Sequence, residues 1–249
     1  MTEIIYRDGE FVDVSAMGDE PFIYQYIRAD GYTPFHVQRH IDLIDAASWR
    51  IRHCASGLSV AEVSDAIERL LVRNGYPDCG VNIVLLRSYA EGRTMLSCCG
   101  TSLYNRLTLR ALRPAAITVT TGGVFVGLPT SAELAETNML SEYVRTQGVG
   151  AFVSCDGSGC VVSVDGATPI VVKGGKIAVS RLSLSVEAEA VMHALELAGR
   201  SVEMRDILRE ELSAADEVWG ADYRGITSLA ECDGRIYADI VADAVARTL

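Results

Sequence analysis

The chain has 249 residues, is 49% hydrophobic and carries a formal charge of −11. That composition excludes a disordered or fibrous protein and leaves room for one large domain or two small ones. With 33 acidic against 22 basic residues and no basic cluster, nucleic acid is not an expected partner.

The N-terminal stretch predicts a hairpin, Ile4–Tyr6 and Glu10–Val12, turning at Asp8-Gly9. A third strand, Phe22–Ala29, alternates Ile23, Gln25 and Ile27 on one face with Tyr24, Tyr26 and Arg28 on the other. After Asp30-Gly31, Ile41, Ile44, Ala47 and Ile51 recur at helical spacing. A second helix over Ser59–Asn74 opens on Ser-Val-Ala-Glu, a capping-box pattern, and stops at Gly75. Strands are expected at Val81–Arg87, Leu107–Ala111 and Ala116–Thr120. Gly122–Ser131 is glycine-rich and reads as a linker. Residues 1–121 thus form an N-terminal α+β domain, 122–131 an interdomain linker and 132–249 a C-terminal α/β domain.

The second half begins with a helix over Ser131–Gln147, with Ala132, Ala135, Met139, Leu140 and Val144 inward. Cys155–Lys176 follows, CDGSGCVVSVDGATPIVVKGGK, and reads with Ile177–Val179 as a three-strand meander. Its Lys173 and Lys176 are the only lysines in the chain. Helices are expected at Ser185–Leu197, Ile207–Ala214 and Ala238–Thr248, and strands at Val202–Met204, Glu217–Ala221, Ile226–Leu229 and Arg235–Ile236.

No apolar run reaches the roughly 18 residues of a membrane helix, and MTEIIYRDGEF lacks the order of a secretion signal. With seven cysteines, an odd number and no C-x-x-C pair, the expectation is a cytoplasmic protein with reduced thiols. His36 and His40 share H-x-x-x-H spacing, but Val37 stands where a zinc protease has glutamate, so no metal site is expected. A Cys155/His36 nucleophile pair is chemically conceivable, yet nothing in the sequence places the two together.

The order of pieces is informative. An "IYRDGEFV" hairpin leads to "PFHVQRHIDLI", a linker, an "ETNML" helix and "CVVSVDGATPIVVKGGKI". Then come "EAVMHALELAG", "SAADEVWGA" and "ITSLAECDGRIY". Over nearly the whole chain this resembles the fold-type IV pyridoxal-phosphate enzymes: branched-chain and D-amino-acid aminotransferases and aminodeoxychorismate lyases. The resemblance implies an α+β, two-domain D-amino-acid aminotransferase-like architecture and a homodimer.

It also implies where the cofactor would sit, and there this chain departs. The family's Schiff-base lysine matches Ala135, and its phosphate-binding arginine matches His36. The glutamate at the pyridine nitrogen matches Ser163, and the phosphate-holding "G-I-T-R" matches Leu184–Glu187. A further threonine matches the Tyr223–Arg224 stretch. No pyridoxal phosphate is therefore expected, unless the register of this match is wrong. The family pattern would line the remaining cleft with Tyr24, Arg28, Arg93, Asn138, Ser163, Tyr223, Arg224 and Thr227 as substrate contacts. His36, Tyr26 and Glu187 are the acid–base candidates. Three functions stay open: a repurposed enzyme acting on a small carboxylate-bearing metabolite without the cofactor, a non-catalytic binding or partner protein, and a genuine aminotransferase or lyase.

Overall fold

The computed structural model describes residues 3–16, 20–76, 81–89, 92–102 and 108–249. The chain divides into two compact units: Met1–Asn105 with Pro129–Ala132, and Arg106–Leu128 with Glu133–Leu249.

The first unit is built on strands β1 (Ile4–Arg7), β2 (Glu10–Asp13), β3 (Phe22–Asp30) and β4 (Thr33–Pro34), helices α1 (Val37–Arg52) and α2 (Val60–Asn74), and strands β5 (Val81–Tyr89) and β6 (Thr94–Ser102). The strands form one antiparallel sheet in the order β2-β1-β6-β5-β3-β4. Both helices pack on the sheet through the expected apolar faces, burying Ile41, Ile44 and Ala47 of α1 and Val63, Ile67, Leu70 and Leu71 of α2. Asn74 fastens α2 to β1: its amide donates to the Ile4 carbonyl at 2.7 Å, and its Oδ1 accepts from the Ile4 N–H at 2.9 Å.

Two details differ from the sequence reading. Ser59 is the N-cap of α2 but makes no side-chain cap, so the capping box does not form and Glu62 is left to complement the helix dipole. Strand β6 carries no run of β-branched or aromatic residues, and its Gly100 is a weak strand former. It is held centrally between β1 and β5 by its buried Met95, Leu96, Ser97 and Cys98.

The second unit contains strand β7 (Ala115–Thr120), helix α3 (Ser131–Thr146) and strands β8 (Ala151–Cys155), β9 (Val161–Val164), β10 (Thr168–Lys173) and β11 (Lys176–Ser180). Helix α4 (Val186–Leu197), strand β12 (Val202–Arg205), helix α5 (Arg209–Leu212), strands β13 (Glu217–Asp222), β14 (Gly225–Ser228), β15 (Glu231–Cys232) and β16 (Arg235–Ile236) and helix α6 (Ile240–Ala246) complete it. Two five-stranded sheets result, β12-β11-β10-β13-β14 and β16-β15-β7-β8-β9. One core, including Val153, Val161, Val164, Val171 and Val218, joins residues of both sheets. A second centres on Trp219 of β13, beneath Val191 and Leu195 of α4 and Val245 of α6.

The expected meander is therefore split. β9 pairs with β8, whereas β10 pairs with β11 and β13; the Asp165-Gly166 turn carries the chain from one sheet to the other. Gly220 permits this crossing, since a Cβ there would lie 2.8 Å from the Ala167 Cβ and 3.1 Å from the Val164 carbonyl.

β7 belongs with the second unit, because it pairs in parallel with β8 and β15. The stretch expected as a linker is not a free tether either. Gly127, at φ +73°, packs so closely on Leu182 that a Cβ would lie 2.1 Å from its carbonyl oxygen. Of the strand expected at 107–111, Leu107 lies outside the described residues, and Leu109 makes only an isolated bridge to Ile226. Among the described residues no helix is long and apolar enough to cross a membrane. The six described cysteines are free thiols.

Candidate functional site

In the first unit, β3 places Tyr24, Tyr26 and Arg28 on one face, as their alternation requires. The two tyrosine rings meet edge-on, with centroids 5.5 Å apart, and Arg28 is 8% exposed. The β3–β4 hairpin brings the entry of α1 back to this strand, where the Phe35 N–H donates to the Arg28 carbonyl at 2.8 Å. His36 follows as the N-cap of α1. It is exposed and held in the left-handed region at φ 53°, ψ 31°, a conformation that costs a non-glycine residue about 1 kcal/mol or more. Arg93 pairs with Glu20.

His40 lies on the opposite face of β3. It is 2% exposed, with Nδ1 3.0 Å from Gln25 Oε1. Burial, and secondarily the charge of His36, pushes its pKa down to about 3. His40 is thus a neutral core histidine.

In the second unit, α3 turns only part of its expected face inward: Leu140 and Val144 are turned in, whereas Ala132, Ala135 and Met139 are not. Met139 is 73% exposed, Ala132 and Ala135 are exposed, and only Val144 of the helix is buried. Glu133, Glu136, Thr137 and Leu140 instead line a small cavity of about 10 Å³, together with Thr121, Ser154 and Ser163. Those helix positions share one face at i, i+3, i+4 and i+7, so Ala135 and Asn138 lie on the other side. The structure therefore does not bring Ala135 or Asn138 to Ser163. Ser163 is buried and its hydroxyl is 2.7 Å from the Ser154 hydroxyl. The sequence reading missed Glu133, Glu136 and Thr137. Their helical spacing was the available signal, outweighed by the apolar stripe through Ala135 and Met139.

The β9–β10 and β13–β14 turns meet in an ion cluster. Arg224 donates from Nε to Asp222 Oδ2 at 2.8 Å, from Nη1 to Asp165 Oδ2 at 3.2 Å and from Nη2 to the Asp165 carbonyl at 2.5 Å. Burial raises the Asp165 pKa, with Arg224 opposing that shift. Arg224, expected to hold a substrate, is thus committed to two aspartates. Tyr223 packs beside it, its ring centroid 5.8 Å from the guanidinium carbon. Thr227 is buried, and its Oγ1 accepts from Arg110 at 3.3 Å.

At the start of α4, the Ser185 hydroxyl accepts from the Ala188 N–H at 3.1 Å, and the Ser185 N–H donates to Thr168 Oγ1 at 2.9 Å. Glu187 occupies the first turn at 7% exposure, where its charge complements the helix dipole. Lys173 and Lys176 face each other across the exposed β10–β11 turn.

Among solved structures, the chain is similar to the branched-chain aminotransferase of the thermophilic archaeon Thermoproteus uzoniensis, solved with norvaline. The two are 18% identical, with a TM-score of 0.82 over 100% of this chain and 93% of that one. It is also similar to the fold IV transaminase of Curtobacterium pusillum (15% identity, TM-score 0.74, 96% and 92% of the chains). A third is the branched-chain amino acid aminotransferase of Escherichia coli (14% identity, TM-score 0.78, 99% and 92% of the chains). The fold is accordingly that of the fold-type IV aminotransferases. No protein-family model matches the chain, and no curated protein sequence matches it.

Proposed function

We propose that this chain uses the fold-type IV scaffold without pyridoxal phosphate, as an enzyme acting on a small carboxylate-bearing metabolite. The position of the two lysines carries this reading. The Ser185 start of α4 is bonded to Thr168 at one end of β10, and both lysines lie at the other end. Five residue steps along the strand take Thr168 to Lys173, about 17 Å at ~3.3 Å per step. An amine on that turn does not reach a cofactor whose phosphate would sit at the α4 N-terminus.

The other contacts do not fit the group either. The N–H of the N-cap Ser185 and that of Ala188 in the first α4 turn are already given to hydroxyl oxygens. The buried Glu187 carboxylate would oppose a phosphate dianion there. Ser163, which the resemblance matches to the glutamate at the pyridine nitrogen, is an uncharged hydroxyl turned to Ser154.

Support for an enzyme comes from the first unit, where Tyr24, Tyr26 and the nearly buried Arg28 share a face and His36 stands exposed at the following turn. Arg28 would take a substrate carboxylate, and His36 or Tyr26 would move the proton. A homodimer in the cytoplasm is part of this reading. The commitment of Arg224 to Asp165 and Asp222 favours a second reading, a non-catalytic binding protein on the same fold.

The absorbance spectrum of the purified protein tests the cofactor claim. No band near the visible edge is expected; one that survives dialysis and disappears on borohydride treatment would overturn the proposal. A thermal-shift screen with 2-oxo acids and hydroxy acids then separates enzyme from binding protein. The enzyme reading predicts a stabilising metabolite that is consumed by the parent protein and not by a His36→Ala variant.

A further inference from the structure

Outside the positions considered so far, the second unit carries a cleft of about 410 Å³, walled by Thr118 of β7, Arg209 and Leu212 of α5, Cys232 of β15, Arg235 of β16 and the adjoining Tyr237. We propose that this cleft binds a small organic oxyanion, a carboxylate or a phosphate monoester, on Arg209 and Arg235. The proposal is independent of the function assigned above.

The argument rests on which arginines are spent. In this acidic chain several guanidinium groups of the second unit hold carboxylates closely: Arg181 holds Asp206 and Arg205 holds Glu211, each at 2.7 Å. Arg224 holds Asp222 and Asp165. The two arginines of the cleft do not. Arg209 reaches a carboxylate, that of Asp233, only at 3.9 Å, the outer limit of an ion pair. Arg235 gives one donor to the Ala215 carbonyl at 3.1 Å and holds no carboxylate among the described residues.

Asp233 cannot close on Arg209, because Thr118 holds it from the other side. Its Oδ1 accepts from the Thr118 N–H at 3.0 Å and its Oδ2 from the Thr118 hydroxyl at 2.6 Å. Guanidinium donors with unspent capacity, facing a concavity, are the arrangement that recognises a planar carboxylate or a phosphate. The floor is apolar. Leu212, Cys232 and Tyr237 are each at most 4% exposed, and the Tyr237 hydroxyl is already given to the Leu212 carbonyl at 3.0 Å. That floor fits a short hydrocarbon body behind the charged head. Glu210 and Asp233 on the same walls weigh against a polyanion, and so against nucleic acid.

The test is calorimetric titration of the full chain with hexanoate and, separately, with inorganic phosphate, at fixed ionic strength. Binding of at least one probe is expected; hexanoate alone indicates a carboxylate ligand and phosphate alone a phosphate monoester. Arg209→Gln and Arg235→Gln should each weaken the bound probe roughly tenfold, the loss of one charge-assisted hydrogen bond. Asp233→Asn should tighten it, since Asn still accepts from Thr118 and tolerates the local φ of +49°. His36→Ala should leave it unchanged, which separates this cleft from the site proposed above. Both arginine side chains lie at the surface, and Asp233→Asn provides a second variant with the opposite expected sign. The proposal is overturned if neither probe binds, or if affinity is unaltered when both arginines are replaced.

Discussion

Replacing Arg224 by Gln distinguishes a structural clasp from a ligand-binding arginine. In the clasp, the guanidinium faces Asp222 and Asp165, whose side chains are 10% and 17% exposed. Removing one partner of a buried ion pair costs about 3–5 kcal/mol. Arg224 is itself 31% exposed, so solvent screening lowers the expected loss to about 2 kcal/mol. The loss has a pH signature. The Asp165 carboxyl is raised above its ordinary value by burial and pulled back by Arg224. Without Arg224 it rises further. A carboxyl raised in the folded state favours folding at acidic pH and loses that contribution as pH climbs through its folded value. The deficit of R224Q is therefore largest at neutral pH and shrinks towards pH 4. Urea unfolding followed by Trp219 fluorescence, in a Trp49→Phe background, reads this second unit. If R224Q matches its parent, or its deficit is the same at pH 7 and pH 4.5, the clasp is refuted and Arg224 returns to the candidates for holding substrate.

Gly220→Ala should destabilise by about 1–3 kcal/mol, because the new Cβ is driven into Ala167 and the Val164 carbonyl. The double variant with Ala167→Gly should recover part of the loss in melting temperature; no recovery would place the cost elsewhere. His40 is held neutral with a folded pKa of about 3 against 6.5 for the free group. Its contribution is therefore complete above pH 6.5 and is lost as pH falls towards 3. His40→Gln, which can still bond Gln25, should flatten the decline of melting temperature between pH 6.5 and 4. Parallel curves for variant and parent would contradict this.

What the sequence discloses depends on the range of the interaction. The alternation of Tyr24, Tyr26 and Arg28 was legible because a strand's period is local, and the faces of α1 and α2 because their apolar spacing is. Strand β6 was not, since it is held by neighbours on both sides rather than by its own residues. The split at Asp165-Gly166 hides for a similar reason. A two-residue turn between β-rich runs reads as a hairpin, and only the pairing of β10 with β13 reveals that the runs diverge. The residue types at His36 and Ser163, on which the proposed loss of the cofactor rests in part, were legible in the sequence itself. The engagement of Arg224 was not, because Asp165 is 59 positions away. On α3 the apolar stripe located Leu140 and Val144 correctly but not Ala132, Ala135 and Met139, because apolar spacing marks what a helix offers and not what covers it.

The placement of both lysines on the β10–β11 turn also makes amine chemistry on this protein unusually selective. A reagent directed at lysine ε-amines labels one exposed loop, so a dye or surface coupled through it holds each molecule in nearly one orientation. A lysine-specific protease has two sites, three residues apart and outside the ladder interior. Cutting at both leaves fragments 1–173 and 177–249 joined along the strands by Ile170 with Val179, Val171 with Ala178 and Val172 with Ile177. Whether those halves stay together in native buffer measures how far the β10–β11 pairing and the core beneath it stand without the covalent turn.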